Sequence, residues 1–406
     1  MNFRRLLLIG MLAVGSVGGA GAAKAQPAAV QTVIGDGTPA SCQTGAAANA
    51  LDAAVAAGGD ITFDCGDDPV EMIVNTNTTD KQVTVDGGGK IILSGEDARQ
   101  LFYVFGAGDL TLNNISLVDG NFSGGGAIYV GPQAKVAINN SFLTSNVSNT
   151  TGGAIHNEGE LTIRYSTLGS NIASGNGGGI YNNGGSVTVR YTTLISNQAA
   201  NGGGVYSMGG PLTLATSSVR SNIATGQGGG VRLVNNTAQF ANNTFSNNRA
   251  DSGGGLYTSG VAYIESSTFY INRADLGGAV FSAGETHVKN TILAGSRDEA
   301  DANPSLNCDG PAMISEGRNI IGDNSCVPNP SSAGDLLSTD PLLAPLADNG
   351  GPTRSFEPLE GSPALDAGDG CPAIDQRGIG RPIGLACDIG SIERGRFVYL
   401  PLMAKG

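Results

Sequence analysis

Tryptophan is absent from this 406-residue chain, histidine occurs twice, and only 14% of residues are charged. Metal and acid–base chemistry through imidazole is thereby confined to His156 and His287, and the cysteines include no close Cys-x2-Cys pair, so no metal and no cofactor is expected. Lysine and arginine total 22 against 35 Asp and Glu, a formal charge of −13. A surface this acidic repels phosphate backbones and anionic lipid, which excludes nucleic acid as a partner. Beyond the N-terminus no run approaches the ~18 apolar residues of a spanning helix, so no transmembrane segment is expected in the mature chain. Good helix formers are few whereas Gly numbers 64, which argues for many turns and an all-β chain.

The N-terminus carries a processing signal: a basic "MNFRR", the apolar "LLLIGMLAVGSVGGAGAA", and Ala23-Lys24-Ala25 in the small-x-small pattern of a cleavage site. Export with cleavage near Gln26 would remove Arg4, Arg5 and Lys24 and take the charge from −13 to −16. In an exported chain an even number of cysteines reads as disulfides, and the six fall into three local groups, Cys42 with Cys65, Cys308 with Cys326 and Cys371 with Cys387. Spacing alone leaves other pairings open.

The middle of the chain repeats. An aliphatic residue follows each glycine cluster at Ile128, Ile155, Ile180, Val205, Val231, Leu256 and Val280, with gaps of 27, 25, 25, 26, 25 and 24. An Asn closes each unit at 146, 171, 197, 222, 248 and 272, with gaps of 25, 26, 25, 26 and 24. Two separate marks therefore share one period. Within each unit "LTI", "VTV" or "LTL" alternates like a strand with one buried face, and three short strands per unit are expected, with Gly and Asn at the φ > 0 turns. One such unit buries too little to offset the cost of ordering it; stacked units share a core and pair each strand with its equivalent above and below. A period near 25 with several strands per turn describes a parallel β-helix, with glycines at crowded corners and Asn side chains laddered from coil to coil. Residues 61–117 continue the pattern less regularly, and "GAAANALDAAVAAGG" (45–59) predicts a short helix covering the open end of the core.

The "GGGIYN…LTI…STLGSN" units resemble those of secreted bacterial right-handed β-helix proteins of the pectin-lyase-like superfamily, including polymorphic-outer-membrane-protein-type repeats. The segment "ALDAAVAAGGDITFDC" is similar to the leader of such proteins, with "SCQTGAAANALDAA" standing where they carry Cys-Ser-Leu-Arg-Glu-Ala. "NIIGDNSC", "STDPLLAPLADNGGPTRSFEPLEGSPALDAGDGCPAIDQRGIGRP" and "CDIGSIE" resemble the choice-of-anchor Q domain. The resemblance covers about residues 30–394 and implies an exported, cell-surface or secreted protein. Some right-handed β-helices are polysaccharide lyases or hydrolases, so the resemblance also admits a catalytic site.

Asp251 and Asp275, in the twin segments "NRADSGG" and "NRADLGG", would stack about 5 Å apart, the separation of a retaining glycosidase pair, with Arg249 and Arg273 placed to neutralise them. The alternative is a pair of solvated turns. Arg164-Tyr165 and Arg190-Tyr191 recur in adjacent units and read either as a carbohydrate-contacting column or as ladder packing. His156 replaces a Tyr in an outward row, and His287 has no partner that the sequence names. Asp366, Asp369, Asp375 and Asp388, interspersed with Arg377 and Arg381, read as structural Asp–Arg pairs because no Asp-x-Asp-x-Asp-Gly loop is present.

The expected organisation is a signal peptide (1–25), an N-terminal cap (26–60), a single-stranded right-handed parallel β-helix solenoid (61–295), a choice-of-anchor Q-like, loop-rich C-terminal cap (296–394) and a tail (395–406). The expected function is a non-catalytic, monomeric, secreted or cell-surface protein for adhesion, surface structure or contact with extracellular polysaccharide or cell-surface components. A polysaccharide lyase or glycoside hydrolase is the alternative.

Overall fold

The computed structural model describes residues 30–298, 303–327 and 334–395; the expected signal peptide and all of the tail after residue 395 lie outside them. The coil that begins at Ile155 holds four strands, Ile155–Asn157, Glu160–Arg164, Thr167–Gly169 and Ile172–Ala173. The first joins a ten-stranded sheet, the narrow face; the next two join a 22-stranded sheet, the broad face; the last joins a four-stranded sheet. Strands pair in parallel with their equivalents one coil away. The chain is therefore an all-β parallel β-solenoid. The fourth strand, unforeseen in sequence, has two residues and so offers no alternation to read.

Stacking is in register. Ile128, Ile155, Ile180, Val205, Val231, Leu256 and Val280 form one column and are fully buried. At the crowded corner Gly177 has φ +71°, and a Cβ on Gly178 would lie 2.4 Å from Gly203 O, so no side chain fits at this coil spacing. The Asn column is a hydrogen-bonded ladder. From Asn146 to Asn272 each Nδ2 donates to the Oδ1 of the next Asn at 2.9 to 3.0 Å. The other amide hydrogen goes to a backbone carbonyl, as in Asn197 to Leu168 O at 3.0 Å.

Two other corners differ from the expectation that Gly and Asn fill every left-handed position. Tyr165, Tyr191, Thr216 and Ser266 take φ of 52°, 51°, 52° and 45°, and Ile271 takes 56°. Such backbone costs about 1 kcal/mol or more per residue. The following residue holds it: the Ser166, Thr192 and Ser217 hydroxyls donate to the carbonyl two residues back at 2.7 to 2.8 Å. Ser166 and Ser217 also accept the amides of Ser141 and Thr192 in the preceding coil, at 3.1 and 3.2 Å.

The helix expected over 45–59 is Gly45–Ala57, started by Thr44, whose hydroxyl accepts from Ala47 N at 3.1 Å. It buries Leu51 and Val55 over the first strands, and Cys42–Cys65 ties the approach to that helix to the first coils. Strands of the same sheets also occur outside 61–295: Gln31–Ile34 at one end, and Cys308–Asp309, Ile314–Gly317, Ile320–Ile321 and Leu336–Leu337 at the other. The six cysteines pair as the local grouping anticipates.

After the last coils the chain doubles back along the broad face as a strap. Thr353 Oγ1 donates to Thr216 O at 3.4 Å, Asn242 Nδ2 to Ile374 O at 3.0 Å, Thr244 Oγ1 to Gln376 Oε1 at 2.7 Å and Asn290 Nδ2 to Asp369 O at 2.8 Å. A buried ionic network holds this strap. Arg377 grips Asp375 with Nε and Nη2 at 2.9 and 2.7 Å. The Arg381 side chain, 1% exposed, lies 3.6 Å from Glu393 and donates to Asp388 O and Gly390 O.

Candidate functional site

Asp251 and Asp275 do fall in adjacent coils, since Ser252 bridges Leu276 and Arg249 bridges Arg273, which in turn bridges Arg297. Both acids are exposed, and none of the five charged residues is without a partner. The result is neighbouring rows of arginine and aspartate along a solvent-facing turn.

Arg164 and Arg190 are also in register, exposed and one coil apart. Tyr165 and Tyr191 stack at 4.8 Å with planes 3° apart, so each ring spends one face on the other. Both occupy the left-handed corner, and Tyr165 is 54% exposed. Tyr191 borders the strap, where its hydroxyl lies 3.9 Å from the place a Cβ on Gly378 would take.

A longer column runs along the narrow face: Tyr103, Tyr129, His156, Tyr181, Tyr206, Arg232, Tyr257 and Phe281 occupy equivalent positions. Neighbouring rings lie 4.8 to 5.4 Å apart, and Arg232 bridges the gap with its guanidinium 5.3 and 5.5 Å from the Tyr206 and Tyr257 rings. Beyond the Tyr row that His156 joins, the sequence offered no sign of Tyr103, Arg232 and Phe281 as members, although each directly follows the inward residue of its coil, Phe102, Val231 and Val280. Where rings stack, as in Tyr103–Tyr129, Tyr181–Tyr206 and Tyr257–Phe281, mainly edges and hydroxyls are left for solvent, whereas His156 meets its neighbours tilted and edge-on.

Glu158 is the hub of this face. It accepts from Tyr129 OH at 2.6 Å and Asn183 Nδ2 at 3.1 Å, and lies 3.4 Å from His156 Nε2 without hydrogen-bond geometry. Burial pushes its carboxyl up, but the bonds from Tyr129 and Asn183 outweigh this and leave it below the usual range. Burial pushes the His156 imidazole down, against the pull of Glu158. Tyr129 is raised by burial and by its bond to the carboxylate.

A second cluster, invisible in the sequence, lies on the broad face around His287. Its Nε2 is 2.7 Å from Glu285 Oε1 and its Nδ1 3.0 Å from Glu316 Oε1, and Tyr263 stacks on the ring at 4.7 Å. The bond to Glu285, then that to Glu316, raises the imidazole above its ordinary value despite partial burial. Lys289 and Glu265 share the same cleft of about 180 Å3, and burial raises the Glu265 carboxyl. Because the two glutamates sit on opposite edges of the ring, they do not converge on one ion; among the described residues no group of three His, Cys, Asp or Glu is placed to hold a metal. What this arrangement can do is hold an imidazolium and exchange a proton with a neighbouring carboxylate.

Comparison with known proteins fits this geometry. Residues 244–259 match the model of the Chlamydia polymorphic membrane protein repeat. The fold is similar to the crystal structure of pectate lyase Pel9A, with TM-score 0.51 and 18% identity over 86% of this chain and 90% of that one. No curated protein matches. The structural likeness shows the shared parallel β-helix fold.

Proposed function

We propose that this chain is an exported, surface-exposed β-helix protein without a catalytic role, whose long acidic flank serves adhesion, surface structure or contact with extracellular polysaccharide. One observation carries the reading: the outward aromatic side chains from Tyr103 to Phe281, with Arg232 among them, are spent on one another in a coil-to-coil row rather than converging on a reacting atom. Three disulfides suit an oxidising compartment, and the polymorphic membrane protein repeat supports a place at a cell surface. A loop-rich C-terminal region of the choice-of-anchor Q kind belongs to the same proposal.

A second reading has its own support. The likeness to a pectate lyase, together with the His287 cleft, favours a polysaccharide lyase or glycoside hydrolase working across the coils. The two are separated by incubating the full chain with acidic and neutral polysaccharides and following reducing ends and unsaturated products. The non-catalytic reading expects neither; product release that His287→Gln abolishes would establish the enzyme.

A further inference from the structure

The outward row Phe142, Thr167, Thr193, Ser218, Thr244, Thr268 and Ile292 is continuous in register along the broad face. The strap covers only part of it. Ser218, Thr244, Thr268 and Ile292 are buried, whereas Thr167 and Thr193 are partly accessible and Phe142 is 54% exposed. Where the strap begins, a cleft of about 270 Å3 opens, lined by Thr167, Thr193 and Arg220 from the coils and by Asp348 and Arg354 from the strap.

Two arginines in this cleft are unusual in a chain of charge −13. Neither forms an ion pair with a described residue, and Arg220 Nε is buried with no hydrogen-bond partner. Burial and then repulsion from Arg354 both weigh against the charge on Arg220. A guanidinium nonetheless stays protonated, and an oxyanion in the cleft would offset this cost. Asp348, exposed at the rim, uses Oδ1 to accept from Gly350 N at 3.0 Å.

The approach to the cleft has the chemistry of a sugar track. Hydroxyl-bearing Thr193 and Thr167 follow one another at about one strand spacing, ~4.8 Å, and from Ser218, two residues before Arg220, to Phe142 the row spans three spacings, about 14 Å. Phe142 lies between Ser116 and Thr167, so its ring is not sandwiched in an aromatic ladder as the narrow-face tyrosines are. Its face is available to sugar CH groups.

We infer that the Arg220–Arg354 cleft binds the carboxylate or sulfate group of an acidic saccharide, whose chain lies along the solenoid axis over Thr193, Thr167 and Phe142. The two planar guanidiniums can each offer paired N–H donors to such an oxyanion. This deepens the proposed contact role and rests on it only in taking the ligand to be a glycan.

The test is binding of the full chain to alginate, dextran sulfate and neutral dextran at two salt concentrations. Alginate or dextran sulfate is expected to bind and neutral dextran not, and the preferred polymer distinguishes carboxylate from sulfate. Arg354→Glu, an exposed substitution, is expected to weaken binding roughly tenfold or more. Lys81→Glu, a charge reversal at an exposed lysine in the first coils, is expected to change it less than about twofold. Equal losses in both variants, no loss in Arg354→Glu, equal binding of neutral dextran, or no binding of either anionic polymer would overturn the inference. Product release would instead overturn the non-catalytic reading while leaving an Arg354-dependent contact standing.

Discussion

His156 and His287 are the two histidines of the chain, and their surroundings push them in opposite directions from the ordinary value of 6.5. His156 is buried in an aromatic row, which disfavours its charge; His287 is held between two glutamates, which favours it. NMR titration is therefore expected to give one imidazole below 6.5 and one above, and Glu158→Gln is expected to lower His156 further because a supporting carboxylate is lost. Two coincident curves near 6.5 would contradict the assigned contacts. The consequences for stability have opposite signs. A depressed imidazole contributes stability that is full above 6.5 and lost as pH falls through its folded value; the raised one contributes below 6.5 and loses it as pH climbs through its own. His156→Tyr, which restores the row's common residue, removes the first dependence.

At the scale of the element, the Asn ladder is the most closely specified part of the fold. Asn197 Oδ1 accepts from both the backbone and the side chain of Asn171, at 3.1 and 2.9 Å. Asn197→Ala leaves these buried donors unanswered and is expected to cost about 3 kcal/mol, read from the urea midpoint at unchanged slope. A loss below about 0.5 kcal/mol would show that water or a neighbour takes over the bonds. The ladder, the aliphatic column and the helix at 45–57 were legible in sequence because one residue type recurs at one interval or one composition fills one window. The cleft around His287 was not, since Glu285, Glu316 and Lys289 belong to no repeated motif. Left-handed Tyr165 and Tyr191 escaped for a related reason: the hydroxyl bonds of Ser166 and Thr192, rather than their own type, hold their backbone.

For the whole molecule, the strap decides which parts of the broad face meet solvent. Its path could not be read from the sequence, because contacts such as Asn242 with Ile374 join residues 132 apart without any periodicity. Its acids and arginines were legible as pairs, and Asp375 with Arg377 is one of them. Arg381 is the ion-pair partner of the buried Glu393 side chain. Arg381→Met is expected to cost about 3 kcal/mol by stranding Glu393, and to expose 339–394 to limited proteolysis while the coils stay resistant. Uniform resistance would mean that the strap is held by its apolar contacts alone.

Everything above depends on equivalent residues lying over one another along a single axis. Thr111, Ala137, Thr162, Thr188, Thr213 and Gln239 are successive outward members of one such row. Spin labels at Thr111→Cys and Gln239→Cys, in a chain whose native cysteines are all disulfide-bonded, measure its length by pulsed electron resonance. Five coil spacings predict a narrow distribution centred at about 24 Å, allowing for label length. A broad distribution, or a separation beyond about 40 Å, would contradict stacking at one strand spacing per coil.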